Sequence, residues 1–180
     1  KVSLPIEIAG HLQYESDELV FFAGTFDPFH EGHLECLKKC PKQNIVIIPD
    51  INPWKENQSR VAPILKTYLN LISEAKYCVF PGFLALNRPN PTVDWITKLH
   101  VKRKFLLMGA DNFIALEKWK EPDRLFNALT GLYVLSRKVD HDHIKKHSEH
   151  LKNKYHHLQI EFIEDNPYQE ISSTSLRKNN

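Results

Sequence analysis

Leu19-Val20-Phe21-Phe22-Ala23-Gly24-Thr25-Phe26-Asp27-Pro28-Phe29-His30-Glu31-Gly32-His33 runs from five apolar residues straight into a glycine, a proline and two histidines. The apolar run reads as a buried strand, and the residues from about Gly32 to Cys40 as the helix that follows it. In a parallel α/β sheet, ligands bind at the carboxyl ends of strands, so the turn between the two is the first place to look for chemistry. Gly24 has no side chain and lets a ligand approach the backbone. His30 and His33 lie three apart at the helix opening, where both can face one ligand. The amides there carry partial positive charge and suit a phosphate. A His-x-x-His pair also suits zinc, but no third ligand lies nearby in the sequence.

The same alternation continues outward. Asn44–Ile48, Tyr77–Phe80, Lys104–Met108, Leu132–Leu135 and Leu158–Ile163 read as strands. Asn44–Ile48 is nearly continuous in apolar residues, as strands covered on both faces are. Helical spacing appears in Ile64, Leu65, Tyr68, Leu69 and Ile72, over Thr92–His100, in two short pieces around Ala115 and Leu125, and over about His143–Tyr155. Strands separated by helical patterns predict one α/β domain with a mostly parallel sheet and helices on both faces. Residues 19–180 form that domain. Residues 1–18 stand apart: Val2, Leu4, Ile6 and Ile8 alternate like a strand that Pro5 confines to a sheet edge, or they form an arm.

Composition sets the outer limits. The 180 residues hold 24 Lys+Arg against 22 Asp+Glu, a net charge of +2, with 42% hydrophobic and 26% charged residues. That is the balance of a folded globular domain rather than a disordered chain, and it makes no call for a nucleic-acid partner. Tyr77–Leu86, the most apolar stretch, is too short to span a bilayer, and no secretory signal is read near Lys1. Cys36, Cys40 and Cys78 read as buried thiols in a reducing compartment, so a cytoplasmic location is expected. Self-association is left open. Six of the ten histidines fall between Arg137 and His157, and His143, His147 and His150 share a helix face that reads as solvated.

Near the other end, Ile171-Ser172-Ser173-Thr174-Ser175-Leu176-Arg177 follows the last strand. Hydroxyls and amides at a helix start there would cradle an anion, with Arg177 one turn further in. Lys55, in the loop after the second strand, is placed to reach a substrate phosphate or to lie in solvent.

The first segment resembles the Gly-x-Phe-Asp-Pro-x-His-x-Gly-His motif of the nucleotidyltransferase superfamily. Ser172-Ser173-Thr174 with Arg177 resembles the Ser-Ser-Thr-x-x-Arg motif of its adenylyltransferases for pyridine mononucleotides. Met108-Gly109-Ala110-Asp111-Asn112 and Trp119 resemble the Gly-Ala-Asp and downstream Trp of bacterial nicotinate-nucleotide adenylyltransferases. The match runs in order from Val20 to Arg177.

The resemblance implies a single Rossmann-like domain that joins nicotinate mononucleotide to ATP in NAD biosynthesis, giving deamido-NAD and pyrophosphate. It implies that Gly24, Thr25 and Phe26 contact the nucleotides through the backbone and that His30 and His33 are catalytic, on the ATP phosphates. Ser172, Ser173, Thr174 and Arg177 would hold the triphosphate, with Gly109 and Asp111 by the adenosine. Trp119 would stack on the pyridine, and Thr92 would lie near its carboxylate. Mg2+ would bridge phosphates, with no metal site built from protein ligands. Pro91 and Trp95 depart from the family pattern beside Thr92. They keep open a related nucleotidyltransferase with another acceptor, such as phosphopantetheine or a sugar or glycerol phosphate. Nicotinamide mononucleotide as the acceptor, and a nucleotide-binding regulator without turnover, are further alternatives that no residue demands.

Overall fold

The computed structural model describes residues 9–10, 17–24, 26, 31–42, 44–50, 77–86, 88–136 and 141–163. In chain order the strands are β1 (Ala9–Gly10), β2 (Glu18–Gly24), β3 (Ile45–Pro49), β4 (Tyr77–Val79), β5 (Arg103–Gly109), β6 (Gly131–Leu135) and β7 (Gln159–Ile163). The α-helices are α1 (Glu31–Lys39), α2 (Thr92–Ile96), α3 (Ala110–Ala115), α4 (Pro122–Ala128) and α5 (His141–Lys154). Single 3-10 turns at Gly82–Ala85 and Leu116–Lys118 complete the set.

The sheet order is β1-β4-β3-β2-β5-β6-β7. All pairings from β4 to β7 are parallel; only the two-residue β1 runs antiparallel, with Ala9 opposite Val79. The six parallel strands therefore wind outward from β2 to β4, cross back, and wind the other way from β5 to β7. That is the doubly wound order of Rossmann-like folds.

Successive residues of a strand face opposite sides, and both sides here are apolar. Leu19, Phe21, Val46, Ile48, Leu106, Met108, Leu132 and Val134 join the core against α2 to α5, through Val93, Ile96, Phe113, Leu125, Phe126, Ile144 and Leu151. Val20, Phe22, Ile45, Ile47, Phe105, Leu107, Tyr133 and Leu135 face the other side, where Cys36 and Leu37 of α1 and Cys40 just after it cover them. Burying each such Leu, Ile or Phe is worth about 1.5–3 kcal/mol. Cys36, Cys40 and Cys78 are buried and none is in a disulfide.

Over the described residues the predicted strands and helices are present, one helix being shorter, and β1 and the turn at Gly82–Ala85 are additions to the pattern. Thr92–His100 was expected to be helical, but α2 ends at Ile96. Lys98 N–H turns back to the Trp95 carbonyl at 3.2 Å, and the Thr97 hydroxyl donates to the Val93 carbonyl at 2.8 Å. A tightened last turn and a threonine bonding its own backbone both favour a stop there. The helical spacing at Ile64–Ile72 and the strand pattern of Val2–Ile8 lie outside the described residues. Among the described residues, no helix is long and apolar enough to cross a membrane.

Candidate active site

A doubly wound sheet carries its crevice where the winding reverses, here between β2 and β5. The ladder shows that crevice opening. β2 pairs with β5 from Glu18↔Arg103 to Phe21↔Leu106. Their outer pairings run further, to Gly24↔Pro49 and Gly109↔Leu135. The sheet thus parts over the last residues of β2 and β5, and each strand ends in a glycine. A Cβ placed on Gly109 would meet nothing within 4 Å, so the backbone there is open to a close approach.

The other lip is shaped by aromatic packing. Phe26 adopts φ +48°, a left-handed conformation that costs a bulky residue energy and must be held by its surroundings. Its ring lies 4.9 Å from that of Phe22 and 4.9 Å from that of His33, the latter at 84°. His33 is half-buried in the first turn of α1, next to the fully packed Gly32. The imidazole is thereby held edge-to-face at the start of a nine-residue helix.

A second group of residues gathers around Trp119. A cavity of about 290 Å³ is lined by Asn90, Thr92, Val93, Trp119 and Lys120, among others. Trp119 ends the 3-10 turn Leu116–Lys118, donating its backbone N–H to the Leu116 carbonyl at 3.1 Å. Its indole packs partly against the core. Lys120 Nζ lies 3.0 Å from each carboxylate oxygen of Asp94, the third residue of α2. The pair ties α2 to the residue after Trp119, although so exposed a salt bridge adds little stability.

Thr92 and Trp119, which are 27 positions apart in the chain, thus share one cavity. Gly24, Phe26 and His33 form one lip of the crevice, and on the other Gly109 ends β5 and the exposed Asp111 lies in the first turn of α3. Thr25, His30, Lys55, Ser172, Ser173, Thr174 and Arg177 lie outside the described residues. Trp95, one of the departures from the family pattern, packs its indole edge-on against Phe21 at 5.3 Å and near Phe83 at 6.0 Å. Its large side chain is therefore taken up by the core.

Three residues of this region were not singled out from the sequence: Asn90, Lys120 and Asp50. Asn90 Nδ2 donates to Asp50 Oδ1 at 3.1 Å, and the Asp50 N–H donates to the Gly24 carbonyl at 3.0 Å. Lys120 had one signal, its position directly after Trp119. Asn90 and Asp50 had none, since 40 residues separate them.

The family model described as cytidylyltransferase-like matches residues 21–179. The chain belongs to this cytidylyltransferase-like family. It is 31% identical over 170 residues to a Leptospira interrogans protein named "Probable nicotinate-nucleotide adenylyltransferase", covering 87% of this chain and 82% of that one. A Sulfurimonas denitrificans protein of the same name is 30% identical over 172 residues, covering 91% and 85%. Among solved structures, "a Putative Nicotinate-nucleotide Adenylyltransferase" from Vibrio parahaemolyticus superposes with a TM-score of 0.52, covering 89% of this chain and 84% of that one. At 12% identity, that likeness speaks for the fold alone.

Proposed function

We propose that this member of the cytidylyltransferase-like family is a cytoplasmic adenylyltransferase that joins nicotinate mononucleotide to ATP, forming deamido-NAD and pyrophosphate. The observation that carries the reading is the meeting of Thr92 and Trp119 in one cavity, linked through Asn90 and Asp50 to Gly24 at the crevice. An indole face suits a pyridine ring, and a neighbouring hydroxyl suits its polar substituent. The names of the relatives support the same choice.

The chemistry asks for positioning more than for acid–base groups. A phosphate oxygen of the mononucleotide attacks the α-phosphorus of ATP. The new P–O bond forms as the bond from the α-phosphorus to the bridging oxygen breaks, and that oxygen leaves with pyrophosphate. The attacking oxygen is already anionic, so no strong base is needed. Rate comes from in-line alignment and from donors facing the charge that develops. In this reading His30 and His33 are those donors at the mouth of α1, Gly109 lets the nucleotide lie against the backbone, and Gly24, packed under the Phe26 ring, shapes the turn that presents them. Ser172, Ser173, Thr174 and Arg177 hold the triphosphate, Lys55 the mononucleotide phosphate, and Asp111 the adenosine.

Asp111 follows the crevice-side end of β5, and its hard carboxylate oxygens suit a magnesium nucleotide. When bound, magnesium would neutralise phosphate charge, held mainly by the phosphates themselves. The test is pyrophosphate release from ATP with nicotinate or nicotinamide mononucleotide as acceptor. Turnover with neither removes the reading, and preference for the amide reassigns the acceptor.

A further inference from the structure

We propose that Asp50 and Asn90 form a positioning clamp that fixes one wall of the Thr92–Trp119 cavity to the end of β2. The bond geometry points one way. Asn90 Nδ2 donates to Asp50 Oδ1 at 3.1 Å and to the Arg88 carbonyl at 2.9 Å. Both partners only accept, so both amide hydrogens are committed. Turning the amide over would set its oxygen against two other oxygens.

Asp50 is itself anchored. It follows β3 directly, and its N–H donates to the Gly24 carbonyl at 3.0 Å. Two hydrogen bonds, one of them to a carboxylate, therefore connect the cavity wall to the glycine at the crevice. Charge-assisted bonds of this kind are roughly twice as strong as neutral ones.

The wall needs such a tether. Residues 88–91 read Arg-Pro-Asn-Pro, and neither proline has an N–H to donate to a neighbouring element. The Asn90 side chain reaches across to the residue that follows β3. Thr92 stands two residues further on, at the start of α2. A slack Asn90 would let Thr92 drift relative to Gly24.

Deepening the function proposed above, and resting on it for its kinetic consequence, the clamp sets the spacing between the two substrates. A misplacement of about 1 Å in such an alignment can cost about a hundredfold in rate. Neither Asp50 nor Asn90 is needed to touch the reacting atoms; they act by holding Thr92 and Gly24 in place.

The test uses Asn90→Asp, Asn90→Ala, Asp50→Asn and the double exchange Asp50→Asn/Asn90→Asp. Asn90→Asp opposes two carboxylates, and should lower kcat/KM for nicotinate mononucleotide at least about tenfold with the KM for ATP little changed. Asp50→Asn keeps an acceptor and should be nearly silent. The double exchange restores the donor–acceptor pair between positions 50 and 90, though not the bond to the Arg88 carbonyl, and should recover part of the loss. An unimpaired Asn90→Asp, or a loss that the exchange fails to recover, overturns the clamp.

Hydrogen–deuterium exchange needs no turnover. In Asn90→Ala the amides of Asp50 and of residues 92–94 should exchange at least about tenfold faster than in the wild type. Unchanged exchange overturns the clamp even if activity falls. Conversely, a wild-type protein that releases no pyrophosphate with either pyridine mononucleotide sinks the assigned reaction, while the exchange data still decide the clamp.

Discussion

Phe26 folds its ring back over Gly24, so that a Cβ on Gly24 would come within 2.9 Å of two ring carbons. The contact gives Gly24 a structural reason to lack a side chain. Because Phe26 also holds His33 at 4.9 Å, the contact joins the end of β2 to the first turn of α1.

Gly24→Ala should therefore act on both stability and rate. The methyl must push back a ring that is already fixed at φ +48° and packed on Phe22. Overpacking of this kind costs about 1–3 kcal/mol. Thermal unfolding should show that loss. Adenylyl transfer should fall by more than the loss of folded protein explains, because His33 moves with Phe26.

His33→Ala and His30→Ala should leave the far-UV spectrum intact and lower kcat by about a hundred- to a thousandfold, the effect of removing one donor from developing charge. Steady-state kinetics on each variant check this. A kcat within twofold of the wild type would take that histidine out of the mechanism.

Trp119→Ala should raise the KM for the mononucleotide about five- to a hundredfold, as loss of one base–aromatic stack does elsewhere. Trp119→Phe should recover part of it. The KM for ATP should stay put in both, which separates a stacking role from a general loss of fold.

His147 makes a prediction about pH. Its side chain is 11% exposed, and burial holds its pKa below the usual histidine value despite the Glu117 carboxylate and the Phe113 carbonyl, while His150 and His143 add repulsion. The unfolded chain then binds a proton that the folded chain resists. Stability is full above the ordinary value and declines as pH falls through it toward the lowered one. Melting curves at about pH 7.5 and about pH 5.5, on either side of the ordinary value, should show a drop that shrinks in His147→Gln, which keeps a donor for the Phe113 carbonyl.

The layered fold was legible because its strands are covered on both faces. Ile45, Val46, Ile47 and Ile48 are all essentially buried, which leaves an unbroken apolar run to read. Helix ends were less so: Thr97 stops α2 through its own hydroxyl, a local bond that helical periodicity does not report. The crevice motif was readable as a short contiguous string. Its geometry was not, because the parting of β2 from β5 depends on strand pairing and the Gly24–Phe26 contact on a left-handed backbone. The Asp50–Asn90 bond joins residues far apart in the chain that no shared motif marks. Trp95 beside Thr92 looked like a change to the pocket, and only its contact with Phe21 shows that the core absorbs it.

The central claim is adenylyl transfer to a pyridine mononucleotide, and pyrophosphate release tests it most directly. With magnesium, ATP and nicotinate mononucleotide, the wild-type protein should release pyrophosphate and form deamido-NAD in equal amounts, with both falling together in His33→Ala. Pyrophosphate release that does not depend on the mononucleotide, or none with either pyridine form, would contradict the account.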